Sequence, residues 1–283
     1  MKAGFIGFMP FGLDFEGTLD ILKKYKELGY SATEHATFLL NGDVEENKKK
    51  LADIGVEALC VGIGRMGAPS YTDEDIKTAI QNAKATGVKR VSTFAGCVGM
   101  YRFGMRDTAP GYDEVMKEIE NLNYVAKELA KEGLVFTFHN HDAEFQSFYK
   151  GKSAFYHMVD ESEYLKFEVD TGWALYGHFD PVKVLKYVGD KLNCVHIKDW
   201  TYGNAVQVMN IPGMEVDENK VQNAMPRFTA PGTGFLPLSA VLEQADAMGM
   251  EHAIVEMDFM YHMDQAETLR AAYLNMKETG FVL

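Results

Sequence analysis

Cysteine is nearly absent from this chain. Cys60, Cys97 and Cys194 are scattered and form no CxxC pair. Neither a disulfide framework nor a structural thiolate zinc site organises such a sequence, and a reducing cytoplasmic setting is its natural reading. Positive charge is also in deficit: 28 Lys and Arg against 41 Asp and Glu leave a formal net charge of −13. That balance argues against a nucleic-acid surface and against an anionic membrane. Long apolar runs are missing too, none approaching the roughly 20 residues of a membrane span. The N-terminal MKAGFIGFMPFGLDFEG has some look of a leader peptide. Gly4, Gly7, Pro10 and Gly12 break it, Asp14 and Glu16 follow, and it has no small-residue cleavage site, so it reads as a first buried strand and its loop. Finally, GFMPFG is not the GxGxxG turn of dinucleotide-binding sheets.

What is present is an apolar fraction of 47%, enough for a large core, arranged in regular alternation. Strand-like runs fall at 3–8, 30–35, 56–62, 88–94, 134–139, 165–170, 193–197 and 252–257. Between them lie segments of helical period, such as 18–29, 73–87, 112–133 and 238–249. The phrase helix–Gly–apolar run recurs in ELGYSA, DIGVEA, ATGVKR, KEGLVF and AMGMEH, as the turn from helix to strand of a repeating unit. Eight strands each followed by a helix predict a closed α/β barrel, (β/α)₈, as one domain over 1–283. The rival, an open doubly wound sheet, wants fewer strands and the missing Gly-rich turn. Two connections, 95–111 and 200–234, are too long for turns. Both leave the C-terminal ends of strands, the face where barrel enzymes work, and read as lids, binding loops or interfaces.

Four segments, LVFTFHNHDAEF, LKFEVDTGW, CVHIKDW and HAIVEMD, open as buried strands and close on a possible metal ligand: Glu144, Asp170, His196 and Glu256. Three carboxylates and an imidazole suit Mn²⁺, with Mg²⁺ or Co²⁺ as alternatives. The steps from Glu144 to Asp170 and from Asp170 to His196 are both 26 residues, close to one βα unit of about 30. The last step, 60 residues, is one unit plus the long loop. Four successive barrel strands therefore bring these groups to one side of the mouth. The plainer reading of each residue is a helix cap or a hydrogen-bonded core histidine; that all four fall at the same place on successive strands is what favours a site.

Other residues join the candidate pocket. His139 and His141 alternate along one strand and share a face. An imidazole suits a proton shuttle, so His141 is the candidate acid/base and His139 a substrate contact, unless one of them merely orients Glu144. Trp173 could stack on a sugar or aromatic face. Lys198 faces the same way as His196 and could bind a substrate oxygen. Asp199 either pairs with Lys198 or caps the next helix. Glu34, closing the second strand, could bind hydroxyls. Phe8, Met9, Phe11, Met100, Tyr101, Phe103, Trp200, Tyr202, Phe259 and Tyr261 are either packing or an aromatic platform at the mouth.

HNHDAEF, VDTGW followed by DP at 180–181, HIKDW, PGTGF and VEMD together resemble the xylose-isomerase-like TIM barrel superfamily, in its sugar phosphate isomerase/epimerase branch. The resemblance implies a barrel with one divalent metal, often Mn²⁺, on Glu144, Asp170, His196 and Glu256. It also implies that Glu144 and Glu256 act as the acid/base pair, and that the substrate is a sugar, keto-sugar or inosose. The ketose epimerases carry a histidine where this chain has Trp173, which favours a cyclic substrate or one with a flat apolar part. Scattered Arg102, Arg106 and Arg227 offer no phosphate cluster, so the substrate is expected to be unphosphorylated. The alternative on this scaffold is a lyase, dehydrating an inosose or cleaving a 3-keto C-glycoside. Such a lyase would work with a smaller partner subunit using part of loop 200–234; otherwise a homo-oligomer is expected. A DNA-repair barrel resembling endonuclease IV would need more histidines and a basic groove, which the charge opposes.

Overall fold

The computed structural model describes residues 1–8, 12–64, 70–94, 96–201, 227–258 and 264–283. In chain order the strands are β1 (Lys2–Ile6), β2 (Ala32–Thr33), β3 (Glu57–Ala58), β4 (Cys60–Gly62), β5 (Arg90–Phe94), β6 (Val135–His139), β7 (Phe148–Tyr149), β8 (Lys152–Ser153), β9 (Lys166–Asp170), β10 (Leu192–Ile197), β11 (Asp199–Thr201), β12 (Arg227–Thr229) and β13 (His252–Glu256). Nine of them make one parallel sheet in the order β3-β2-β1-β13-β10-β9-β6-β5-β4. The ends of that order, β3 and β4, are separated by Leu59 alone. β3 pairs with β2, Ala32 opposite Glu57, and β4 pairs with β5, Cys60 opposite Arg90. They are two pieces of one stave, so the sheet closes into eight staves, as the alternation predicts.

The helices covering the barrel form where apolar residues recur at helical spacing. In α1 (Phe15–Glu27), Phe15, Leu19 and Leu22 are buried, and the Asp14 carboxylate takes the Gly17 N–H at the N-terminus. α2 spans Val44–Asp53, and α3 (Asp73–Thr86) opens on a capping box of Thr72 and Asp75. α4 (Cys97–Arg102) precedes α5 (Tyr112–Lys131), which buries Val115, Ile119, Leu122, Ala126 and Leu129. Each large aliphatic side chain so buried contributes about 1.5–3 kcal/mol before the entropy of ordering is subtracted. The outward face of the staves meets this layer: Phe167 of β9 packs edge-on against Phe155 of α7 (Ala154–Glu161).

The expected boundaries shift where the centre of the barrel is polar. The expected strand 30–35 shortens to Ala32–Thr33, because Glu34 turns into the barrel and His35, at φ 60°, ends the stave in the left-handed region. The run 56–62 is broken at Leu59. The connection 95–111 contains helix α4, whose first free N–H, on Cys97, is taken by the buried Glu118 carboxylate at 2.9 Å. The connection 200–234 starts and ends in the antiparallel pair β11–β12; 202–226, most of it, lies outside the described residues. Among the described residues no helix is long and apolar enough to cross a membrane.

Candidate metal centre

Four staves end in an i, i+2 pair of polar residues: His139 and His141 after β6, Glu168 and Asp170 on β9, His196 and Lys198 after β10, Glu256 and Asp258 after β13. In extended backbone both members face the same side. Each stave therefore sends two groups into the barrel at two depths.

The structure gathers donor atoms of His139, Asp170, His196 and Glu256 within 4.8 Å of one another. His139 Nε2 is 3.6 Å from Glu256 Oε2 and 3.9 Å from Asp170 Oδ2. His196 Nδ1 is 2.6 Å from Glu256 Oε2. The opposite ring nitrogens face a deeper carboxylate layer. His139 Nδ1 lies 3.3 Å from Glu168 Oε1, and His196 Nε2 lies 3.0 Å from Glu34 Oε2 and 3.2 Å from Glu168 Oε1. Arg90 in turn pairs with Glu34 and approaches Glu168 Oε2 at 3.6 Å. Imidazoles backed by carboxylates on their far nitrogen are the usual arrangement around a metal, since the backing fixes tautomer and ring orientation. The deeper group of Glu34, Glu168, Cys194 and His196 also has ligand types, but there the Arg90 guanidinium already supplies the cation.

Charge supports the same conclusion. Among the described residues, five carboxylates (Glu34, Glu168, Asp170, Glu256 and Asp258) outnumber the cations they meet at this centre, Arg90, Lys198 and a protonated His196. Uncompensated buried charge costs several kcal/mol per ion. Two imidazoles and two carboxylates suit a borderline divalent ion, and its charge would offset most of the excess. In the chain by itself, burial opposes ionisation of Glu168, but His196 and Arg90 outweigh it and hold this carboxyl down at about 2. Burial pushes Asp170 up to about 6, against the pull of Lys198. Burial also disfavours charge on His196, yet Glu168 and Glu256 raise it well above the ordinary histidine range.

Glu144, expected among the ligands and as a catalytic group, is not in the cluster. The chain turns into α6 (Asp142–Gln146) directly after β6, and Glu144 Oε2 reaches back to accept the His141 N–H at 2.7 Å. It completes a capping box, and burial pushes its carboxyl up to about 7. His139, expected to touch substrate, takes the place beside Asp170. Glu34 lies beneath His196, away from the mouth. Asp170 serves both readings at once: Oδ1 caps α8 (Thr171–Tyr176) through the Trp173 N–H at 2.7 Å, and Oδ2 faces the cluster.

Trp173 is buried in the wall, against His141 at 5.4 Å and Phe228 at 5.3 Å, so its ring is packing here. Lys198 is fully buried and ion-pairs with Asp170, Glu256 and Asp258. Asp199 neither pairs with it nor caps a helix. Its carboxylate accepts the N–H groups of Trp200, Gly232, Gly234 and Leu236 at 2.8–3.0 Å, clasping the PGTGF turn. Gly234 permits this, since a Cβ there would lie 2.3 Å from the Trp200 carbonyl oxygen.

A cavity of about 190 Å³ opens at the cluster, lined by Ser92, Thr93, Phe94, His141, Glu256 and Asp258 among others. His141 thus faces the cavity, its ring 5.0 Å from His139 and 5.2 Å from Phe103. Burial, then His139 and Lys198, keep it well below the ordinary histidine range. Of the expected aromatic mouth, Phe8, Met100 and Trp200 are buried and Tyr101 is exposed. Met9, Phe11, Tyr202, Phe259 and Tyr261 lie outside the described residues. Sequence reading missed Glu168, Arg90 and Asp258, and His35, which also lines the cavity. For Glu168 and Asp258 the signal was present, two residues from Asp170 and Glu256 on the same faces.

With fold and site in place, comparison with known proteins gives the class. The xylose isomerase-like TIM barrel pattern matches residues 22–278, and the chain belongs to that family. It is similar to an inosose dehydratase from Geobacillus kaustophilus, 25% identical over 254 residues that cover 84% of this chain and 80% of the relative. A sugar phosphate isomerase/epimerase from Parabacteroides distasonis shares the fold with a TM-score of 0.69 at 18% identity, over 97% of this chain and 95% of that one. The E. coli 3-keto-D-glucoside 4-epimerase does so with a TM-score of 0.68 at 17% identity, over 98% and 99%.

Proposed function

We propose that this protein is a divalent-metal-dependent isomerase or epimerase of an unphosphorylated sugar, keto-sugar or inosose, with Mn²⁺ as the expected ion. The observation that carries the reading is the convergence of His139, Asp170, His196 and Glu256 at the cavity floor. His139 Nε2, Asp170 Oδ2, His196 Nδ1 and Glu256 Oε2 are the atoms that would hold the ion. A metal bound there supplies Lewis acidity, making the hydrogen on the carbon between two substrate oxygens removable near neutral pH. Glu256 is the cluster carboxylate that also faces the cavity, and it is the base we assign to that proton. His141, neutral and facing the same cavity, returns the proton or shuttles it. Ser92 and Thr93 offer hydroxyls to substrate oxygens, and Glu34, Glu168 and Arg90 hold the two imidazoles from below. No Lys or Arg lines this cavity among the described residues, in keeping with a substrate lacking phosphate.

A lyase is the second reading, and one placement favours it. Epimerisation with a pair of carboxylates needs a partner for Glu256, yet Glu144 is committed to capping α6. One base suffices to remove a proton beside a carbonyl and expel a β-hydroxyl or an aglycone. The similar inosose dehydratase and the keto-glucoside epimerase represent the two outcomes. Proton NMR in D₂O with the Mn²⁺-loaded protein and a panel of ketoses, inososes and 3-keto-glucosides separates them. Deuterium entering an intact or isomerised sugar supports the first reading. Loss of water or an aglycone supports the second. No exchange with any metal or substrate class refutes both.

A further inference from the structure

Lys198 is placed where a cation competes with a metal. Its Nζ lies 2.9 Å from Asp170 Oδ2 and 3.4 Å from Glu256 Oε2, the same two carboxylate oxygens that belong to the four-donor cluster. It also lies 2.6 Å from Asp258 Oδ2, which is outside the cluster and nearer solvent. Two ring faces enclose it, Trp173 at 5.0 Å and Phe228 at 5.4 Å. The backbone is fixed as tightly as the ammonium. A Cβ on Gly172 would stand 2.3 Å from the Lys198 carbonyl oxygen and 2.8 Å from its Cβ, so the VDTGW glycine is what lets this lysine sit here.

The geometry points to Lys198 as a tethered counter-cation that competes with the divalent ion for Asp170 and Glu256, with Asp258 as the seat that holds the ammonium when the ion is bound. The inference rests on the metal-binding reading of the cluster. Without the ammonium, Asp170 and Glu256 would face each other buried with only the two imidazoles to offset them, an arrangement that costs stability. With it, the barrel centre stays assembled when metal is scarce, and every binding event must move one positive charge aside. The lysine thus lowers metal affinity while protecting the metal-depleted fold.

A role in holding the ligands in place predicts the opposite sign, so the sign of one measurement decides. Mn²⁺ affinity is measured by calorimetry on chelator-stripped protein, with melting temperatures recorded before and after loading. Lys198→Met is expected to bind Mn²⁺ roughly tenfold more tightly than wild type, through loss of a like charge at short range. Its stripped form should melt lower, and loading should restore it. Asp258→Asn is expected to weaken Mn²⁺ binding about tenfold, and by less in the Lys198→Met background, where no ammonium needs a seat. Lys198→Gln, which keeps a donor for Asp170, serves if Lys198→Met does not fold and should shift affinity in the same direction. Equal or weaker Mn²⁺ binding in the lysine variants overturns the inference. Failure of wild type to bind any divalent ion overturns the metal-centre reading itself.

Discussion

Replacing Glu144 by Gln separates a capping residue from a metal ligand. The carboxyl is buried, with one oxygen on the His141 N–H and the other without a partner, and its ionisation moves from the ordinary 4.5 to about 7. At about 1.4 kcal/mol per tenfold change in proton affinity, that displacement is worth roughly 3 kcal/mol. The folded state holds the proton more tightly than the unfolded one. Below pH 4.5 both are protonated and stability is untouched. As pH rises from 4.5 to about 7 the folded state loses stability, and above that the loss is complete. Glutamine keeps an oxygen for the His141 N–H and cannot ionise. Relative to wild type it should therefore gain about 2–3 kcal/mol between about pH 5 and about pH 8 in urea denaturation. Mn²⁺ affinity should change less than about threefold, because Glu144 is outside the cluster. A hundredfold loss of affinity would restore Glu144 to the ligand set. A stability difference that stays flat with pH would show that its burial does not do what the structure implies.

His139→Ala should weaken Mn²⁺ binding by about 10²-fold or more, read by calorimetry, because it deletes a donor; an unchanged affinity would leave β6 without a ligand. Arg90→Met leaves Glu34 and Glu168 without their cation, and should destabilise by about 3–5 kcal/mol in denaturant. Gly172→Ala forces the Lys198 backbone away and should cost several kcal/mol, a loss that Gly172→Ala combined with Lys198→Ala relieves only in part, since the carbonyl clash remains. Asp199→Ala leaves the Trp200, Gly232, Gly234 and Leu236 N–H groups without their shared acceptor. It should cost about 2–4 kcal/mol and raise hydrogen exchange in the 231–236 turn.

The barrel was legible because period-2 and period-3.6 patterns alternate cleanly and recurrent glycines mark the turns. Asp170, His196 and Glu256 stood out because they fall at the same place on successive apolar strands, although each alone has a plainer use, as the Asp170 cap on α8 shows. At Glu144 ligand spacing and capping spacing coincide, and the structure shows the capping contact. The 26-residue step to Asp170 fits one βα unit whether counting starts at the helix turn or near the strand, and only the structure shows that the chain has become helical by Asp142. The deep layer was less visible. Arg90 follows Lys89 in the sequence with nothing to mark it, and only its pairing with Glu34 and approach to Glu168 show that it faces the barrel centre. Glu34 sat on the shortest stave, where two residues carry too little periodicity to assign a face.

The Asp199 clasp bears on how the strand before it is held. The strand that carries His196 and Lys198 runs straight into Asp199. There the two-stranded β11–β12 base and one carboxylate fasten the chain on departure at Thr201 and on return at Arg227. The same carboxylate thus ties the returning segment, through the Gly232, Gly234 and Leu236 N–H groups, to the residue next to Lys198, so the floor of the candidate site is braced from outside the parallel sheet.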